Sequence, residues 1–484
     1  MAGIGFKLQK LFQEDYYSSR LKAYAFAGLV SSGPWLIVIT AITLIQWLSS
    51  RLTGIELAER ELFTLSVAYC FIFSQVILGI QHLIVTRYVA DLFYEKIYDR
   101  IFPTFLGVSK VTLLFSLTVW VAFAFYSPLH LGYKLVLLTL FIAINLIWVM
   151  FIFLSAAKYY QAVAYSFLIG GVVGVLSILL IPFVPENLGL SMSLLMLLGF
   201  TLGMVLTLFG LMYAMLITFP NRNRENQFSY LKYYDRYPAL FGAGFLYNAG
   251  IWVCNWIIWF GEGGSVVAGT FLTNRLYDTA IFWSYLTIIP TLIIFVVSVE
   301  TRFYERYRTF YGFVNQGGTY EQIGRAQNKM NHVLRQEMAR LFRSQGVVSF
   351  VAILLSAWLV AWAGLDREIG EIFRITTIGA FSNAMVLVIT LLLLYFDDQK
   401  GAVLTSALFY TLNGLFTFLL LPKGIDWYGI SFALGSTAAF LFAGARLIYF
   451  LREVDYYTFC RPAERDGGDW FERVGERLNR IRVL

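Results

Sequence analysis

The residues best suited to chemistry in this 484-residue chain are amides and indoles set at helical spacing. In GFLYNAGIWVCNWIIWF, residues 244–260, Asn248, Trp252, Asn255 and Trp259 follow one another at intervals of four, three and four, with Trp256 beside them. On a helix these share a face, and that pairing suits a sugar: a pyranose ring stacks on an indole while its hydroxyls bond amides. The same tryptophans also suit packing between helices or an interfacial belt. Arg275 and Asp278, three apart, are close enough to pair, and ionisable groups at membrane depth are functional candidates; a snorkelling interfacial pair is the alternative. Gly33, Pro34 and Trp35 lie in LVSSGPWLIV, where Pro34 lacks an N–H and clashes with the carbonyl of Val30, so a kink is expected in the first apolar segment. Ser31 or Ser32 would satisfy the freed carbonyl, and the bend either serves packing or lines a path that changes during transport. Asn145, Asn383 and Asn413 are neutral groups fit to glue helices or to touch a neutral substrate.

Other chemistries find no support. There is no phosphate-binding GxxxxGK[ST] loop and no HExxH. His82, His130 and His332 stand far apart with no second histidine at ligand spacing, so no metal site and no cofactor is expected. Cys70, Cys254 and Cys460 have no CxxC spacing and read as small packing residues. The chain reads as no enzyme.

The elements that must position these side chains are membrane spans. Hydrophobic residues make up 58% and charged residues 14%, with a mean hydropathy of +0.67, far from the roughly 25% charge of soluble domains. Segments of about 20 apolar residues, the length that crosses a bilayer, recur twelve times, centred in 23–48, 62–88, 104–126, 133–157, 162–183, 193–219, 238–260, 277–299, 346–363, 373–395, 402–421 and 429–451. Of the 37 Lys and Arg, 28 fall in one alternating set of loops and termini and six in the other. The positive-inside rule places both termini in the cytoplasm, and the basic balance follows from that rather than from nucleic acid. Lys110, Arg374 and Arg446 lie within or near spans, where snorkelling is expected of the latter two. No Asp or Glu lies in the interior of the first six spans, where a cation-coupled antiporter would use one.

The polar, basic segment 220–237 divides the chain into a bundle over 23–219 and another over 238–451, six spans each. Both then enter the membrane in the same direction, as parallel repeats. Tyr16-Tyr17 and Gly33-Pro34-Trp35 are echoed 217 residues later by Tyr233-Tyr234 and Gly250-Ile251-Trp252. Residues 1–22 read as a cytoplasmic amphipathic segment, 300–345 as a cytoplasmic amphipathic helix continuing out of span eight, and 452–484 as a similar tail; the last two suit a lipid surface or a partner. The opening residues read as no signal peptide.

MAGIGFKL, AGLVSSGPW, YYDRY before span seven, TNRLYDTAIFWSYL and ETRFYERY together resemble the PelG family of exopolysaccharide export proteins, over essentially the whole chain. That family is similar to the multidrug/oligosaccharidyl-lipid/polysaccharide flippase superfamily. The resemblance implies an all-α polytopic membrane protein, twelve transmembrane helices in two six-helix bundles around a central cavity, with bent first and seventh helices. It also implies export of a hexosamine-rich polysaccharide for the biofilm matrix across the bacterial inner membrane, beside PelD, PelE and PelF subunits of a synthase complex. Two alternatives stand beside it: a cation-coupled drug or lipid-linked oligosaccharide transporter of the same superfamily, for which Asp278 is the carboxylate available, and a membrane scaffold for a synthase complex.

Overall fold

The computed structural model describes residues 28, 33–51, 55–185, 189–220, 225–460 and 469–480, and their side chains except at 300 and 301. Among them, twelve helical segments are long and apolar enough to cross a membrane, because in hydrocarbon only a helix or a closed barrel satisfies every backbone polar group internally. This agrees with the twelve spans expected from hydropathy. The helices are α1 (Gly33–Arg51), α2 (Leu57–Tyr94), α3 (Ile101–Tyr126), α4 (Leu131–Ala156), α5 (Tyr160–Ile178), α6 (Met192–Thr218) and α7 (Pro238–Ile258). A two-stranded antiparallel hairpin, β1 (Gly264–Val267) and β2 (Phe271–Asn274), precedes α8 (Arg275–Leu286) and α9 (Ile289–Val297), which together form span eight. Then come α10 (Tyr304–Asn315), α11 (Tyr320–Ala363), α12 (Arg367–Tyr395), α13 (Gln399–Leu420), α14 (Ile430–Arg452) and α15 (Trp470–Arg480).

The chain falls into two compact units. The first holds residues 34–260, 264–274 and 463–484, so α7 belongs with α1–α6 rather than beginning the second unit as the boundary at 220–237 predicts. The reason is close packing of α7 on α2. A side chain at Gly79 would come within 2.9 Å of the Gly244 carbonyl, and one at Gly244 within 2.7 Å of the Gly79 carbonyl. α5 and α6 cross in the same way at Gly170 and Gly203. Small residues at such crossings let membrane helices gain dispersion contact that lipid cannot supply.

The second unit holds residues 1–33, 261–263 and 275–462, built on α12, whose span is the most buried of the twelve. Here two expectations from the sequence are corrected. Arg446 does not snorkel: its guanidinium grips the buried carboxylate of Asp398 through Nε at 2.7 Å and Nη2 at 2.9 Å, while the same carboxylate caps α13 by accepting from the Gly401 amide. Arg374 donates to Ser356 Oγ at 2.6 Å. Lys110 is exposed. The segment after span eight also differs. A π-helical turn over Ser298–Phe303 leads into α10, and the chain then reverses at Gly317 (φ 78°) into α11, a single 44-residue helix whose C-terminal part is span nine. The amphipathic stretch is thus shared between a short helix leaving span eight and the start of span nine. The amphipathic segment 1–22 and the Ser31–Ser32 end of the expected kink lie outside the described residues.

Span eight is broken at Pro290, which has no N–H to continue the ladder. α11 repairs the break: Gln345 donates to the Thr287 carbonyl and to Ser349 Oγ, each at 3.0 Å, and accepts from Thr291 Oγ1. Eight residues back, the buried Glu337 carboxylate takes Arg302 of the π turn at 3.1 Å and Arg340 at 2.7 Å.

Removing one partner of a buried ion pair leaves a charge without compensation, at about 3–5 kcal/mol. Arg446→Met is therefore expected to lower the thermal unfolding midpoint of the detergent-purified protein sharply, and Arg446→Met with Asp398→Leu to recover most of the loss.

Candidate functional site

The α7 face expected from spacing meets α2. Trp252 Nε1 donates to Gln75 Oε1 at 3.0 Å. Trp256 lies nearly parallel to Phe73, with ring centroids 6.4 Å apart, and Trp259 stacks on Tyr69 at 5.1 Å and 13°. Tyr69 in turn donates to the Leu272 carbonyl of β2 at 2.7 Å. The three indoles thus rest on α2 in antiparallel order, as side-chain ridges of two packed helices do. Asn248 donates to its own helix, at the Gly244 carbonyl, 2.8 Å away. Asn255 and Trp259 are buried, whereas Asn248, Trp252 and Trp256 keep part of their surface exposed.

A second indole contact lies one position round α2. Trp148 of α4 donates to Ser74 Oγ at 3.1 Å, so the adjacent polar residues Ser74 and Gln75 each hold a tryptophan. Trp148 also lines a small apolar cavity of about 10 Å³, room for no more than a water molecule. Pro34, Trp35, Phe71, Ile144 and Phe167 line it too, with Met204 of α6, and Gly33 is buried at the start of α1. Pro34 and Trp35 therefore reach the same part of the first unit as Trp148. Asn145 does not join: it is buried and donates to the Phe141 carbonyl of its own helix at 2.8 Å. Arg275 and Asp278 are placed elsewhere, in the second unit. The Arg275 guanidinium is exposed and stands 4.0 Å from Asp366, which fits an interfacial residue more than a buried one, and Asp278 is half-buried on α8.

Sequence reasoning misses Gln75, Ser74, Trp148 and the hairpin. The signal for the first two is the pair Ser74-Gln75 in the middle of an otherwise apolar stretch of a 38-residue helix. The hairpin is signalled by Val266-Val267 and Phe271-Leu272-Thr273 flanking Ala268-Gly269, both at positive φ (51° and 61°) in the turn. Phe271 is fully buried against Tyr69 and Phe123, and Ser127 pairs with Thr270 at 2.9 Å. The hairpin thereby fixes the end of α2 that carries the aromatic ladder.

At the opposite end of α2 the linker is strapped down by tyrosines. Tyr230 donates to Gln81 Oε1 at 3.2 Å, and Gln81 donates on to Thr112 of α3 at 3.0 Å. Tyr233 donates to Asp91 at 2.8 Å and Tyr234 to the Ile80 carbonyl at 3.1 Å. Burial, with the Asp91 carboxylate beside it, pushes the Tyr233 phenol above its usual range, so it stays a neutral donor. The C-terminal helix, expected on lipid or a partner, docks on this linker: Phe471 stacks on Tyr234 at 5.1 Å, the Glu472 amide donates to Asp235 at 2.9 Å, and the Phe228 amide to Asn479 at 2.9 Å. His130 accepts from the Gly132 amide as a helix cap and His332 bonds Gln336. Among the described residues no group of three His, Cys, Asp or Glu could hold a metal ion.

The Gln75–Trp252 bond predicts a coupling of about 1 kcal/mol. In a double-mutant cycle of Gln75→Leu and Trp252→Phe, thermal stabilities should fall short of additivity by that amount, whereas simple packing without the bond would give additive losses.

The family model described as "PelG: Putative exopolysaccharide Exporter (EPS-E)" matches residues 1–459. No curated protein matches the chain. Among solved structures, a MOP superfamily transporter from Pyrococcus furiosus Vc1 aligns over 89% of this chain and 96% of its own, at 12% identity and a TM-score of 0.59. An outward-facing multidrug resistance MATE family transporter of the same superfamily covers the same shares at 13% identity and a TM-score of 0.61. A point mutant of the Vibrio cholerae MATE transporter VcmN aligns over 94% of this chain and 100% of its own, at 11% identity and a TM-score of 0.59. At such identities the likeness shows the fold, the two-bundle, twelve-helix architecture of MOP superfamily transporters.

Proposed function

On the premise that this chain belongs to the PelG family of exopolysaccharide exporters, which its match over residues 1–459 establishes, we propose that it carries a hexosamine-rich exopolysaccharide across the bacterial inner membrane for the biofilm matrix. Both termini lie in the cytoplasm in this reading, supported by the 28 Lys and Arg on one side against six on the other. PelD, PelE and PelF-like subunits would supply the polymer.

The observation that carries the site assignment is the row of indoles on α7, half-buried at Trp252 and Trp256 and held in fixed rotation by Gln75 and Phe73 of α2. Rings clamped on one edge lose little entropy when the free part of the ring meets a sugar, which is the advantage of a preorganised stacking surface. Pro34 and Trp35 border Trp148 of the same unit, so a change of bend at Gly33-Pro34 would be felt by the indole cluster. Asn248 is the half-buried amide of the α7 face, whereas Asn255 and Asn145 are buried. Arg275 and Asp278, at the start of α8, are the charged candidates of the second unit.

Stacking on an aromatic ring contributes about 1 kcal/mol per ring. Trp252→Ala with Trp256→Ala is expected to lower secreted polysaccharide by roughly thirtyfold at unchanged protein level in the membrane, with Trp252→Phe retaining most of the export. Trp252→Ala with Asn255→Ala should likewise lower export. Normal export by these double variants would remove the site from this face. The cation-coupled alternative predicts instead that Asp278→Asn abolishes pH-driven uptake of a cationic dye.

A further inference from the structure

α11 is longer than a membrane span requires. Its 44 residues extend about 66 Å, and the apolar stretch from Val347 to Ala363, about 26 Å, accounts for the crossing. The residues before it run about 40 Å further, with α10 packed along one side. Ala326, Met330, Leu334 and Leu341 are buried, and Phe310 of α10 is fully buried.

The other side is a basic band. Arg325, Lys329, Arg335 and Arg343 are all exposed. From Gln322 to Gln345 the single carboxylate is Glu337, and it is buried and already holds Arg302 and Arg340. Arg325 has Glu321 beside it at the tip. No carboxylate on this face of α11 therefore offsets Lys329, Arg335 and Arg343.

Distance decides what such a band can meet. The headgroup zone adds about 5–8 Å beyond the hydrocarbon on each side. Along the helix, Arg335 lies about 18 Å and Lys329 about 27 Å before Val347, and a typical tilt near 20° shortens these little. Arg343 reaches headgroups; Arg335, Lys329 and Arg325 stand beyond them. A band of cations running about 27 Å along one helix, most of it outside the lipid, is complementary to a helix or strand that carries carboxylates along one edge.

We propose that the outward face of α11 from Arg325 to Arg343 is a docking surface for an acidic protein on the side of the membrane where Lys and Arg gather. Because Glu337 and Gln345 join this same helix to the π turn and to the break of span eight, a partner seated there would touch the element that holds span eight together.

The full chain in phosphatidylcholine nanodiscs tests this, with a fluorescent helical peptide of about six turns bearing Glu along one edge as the probe. Binding is expected to weaken at least roughly tenfold in Lys329→Glu/Arg335→Glu/Arg343→Glu, to change less than about twofold in the control Arg473→Glu/Arg477→Glu/Arg480→Glu on α15, and to fall steeply with salt. The reversed variant should in turn bind the matching Lys-edged peptide. In the source bacterium, the reversed variant at normal membrane abundance should lose polysaccharide release, and milder Gln replacements should show the same direction if the Glu variant is poorly folded. Equal peptide binding by the α11 and α15 variants would overturn the proposal, as would an α11 defect that appears in phosphatidylglycerol nanodiscs alone, which would assign the band to lipid. Normal release by the well-folded reversed variant would also overturn it.

Discussion

In hydrocarbon a polar group must find its partner within the protein, and that constraint shapes this chain more than any other. Where a helix breaks or a charge is buried, a second element has been drawn to it. Pro290 opens span eight, and Gln345 of α11 closes it. Asp398 caps α13 from the interior, and Arg446 of α14 neutralises it. Glu59, near the start of α2, accepts from the Ser193 amide at the start of α6 at 2.6 Å. Asn413 and Ser436 face each other across α13 and α14 at 3.4 Å. These bonds select helix partners and rotations where burial of apolar surface cannot, since lipid is as apolar as leucine.

The same constraint explains how the candidate site is built. An indole N–H drawn into a bundle is usually hydrogen-bonded, and Ser74 and Gln75 serve Trp148 and Trp252 in this way, while the buried Nε1 of Trp256 meets no acceptor among the described residues. The aromatic ladder between α2 and α7 is packing, and in the proposed function it is placement as well. The two roles are compatible, because a ring held at one edge presents the remainder in a fixed direction. The hairpin β1–β2 at one end of α2 and the tyrosines of the linker at the other hold that helix along its length, and α15 covers the linker in turn.

Legibility in the sequence differs from element to element. The spans are legible, because a run of about 20 apolar residues has one stable form in a bilayer. Helix ends are less so: α11 begins well before its apolar part, at Tyr320, since amphipathic and apolar stretches carry the same backbone preference and nothing between them breaks it. The hairpin escapes a hydropathy reading because two four-residue strands give little periodicity. Snorkelling is a property of an isolated helix, so it misleads at Arg446, whose partner Asp398 lies 48 positions away. The Trp252 face is legible from spacing, whereas Gln75, 177 positions before it, emerges only where α7 lies on α2. For the same reason the polar linker suggests a boundary before α7, while close glycine contacts draw that helix to the first unit.

Export of a polysaccharide, rather than of drugs, is what separates the proposed function from that of the multidrug transporters that share this fold. A strain of the source organism lacking the chain, assayed side by side for surface hexosamine polysaccharide and for sensitivity to cationic drugs, separates the two most directly. A polysaccharide exporter requires loss of the surface polymer with unchanged drug sensitivity, restored by the intact chain; intact polymer with raised drug sensitivity would contradict it.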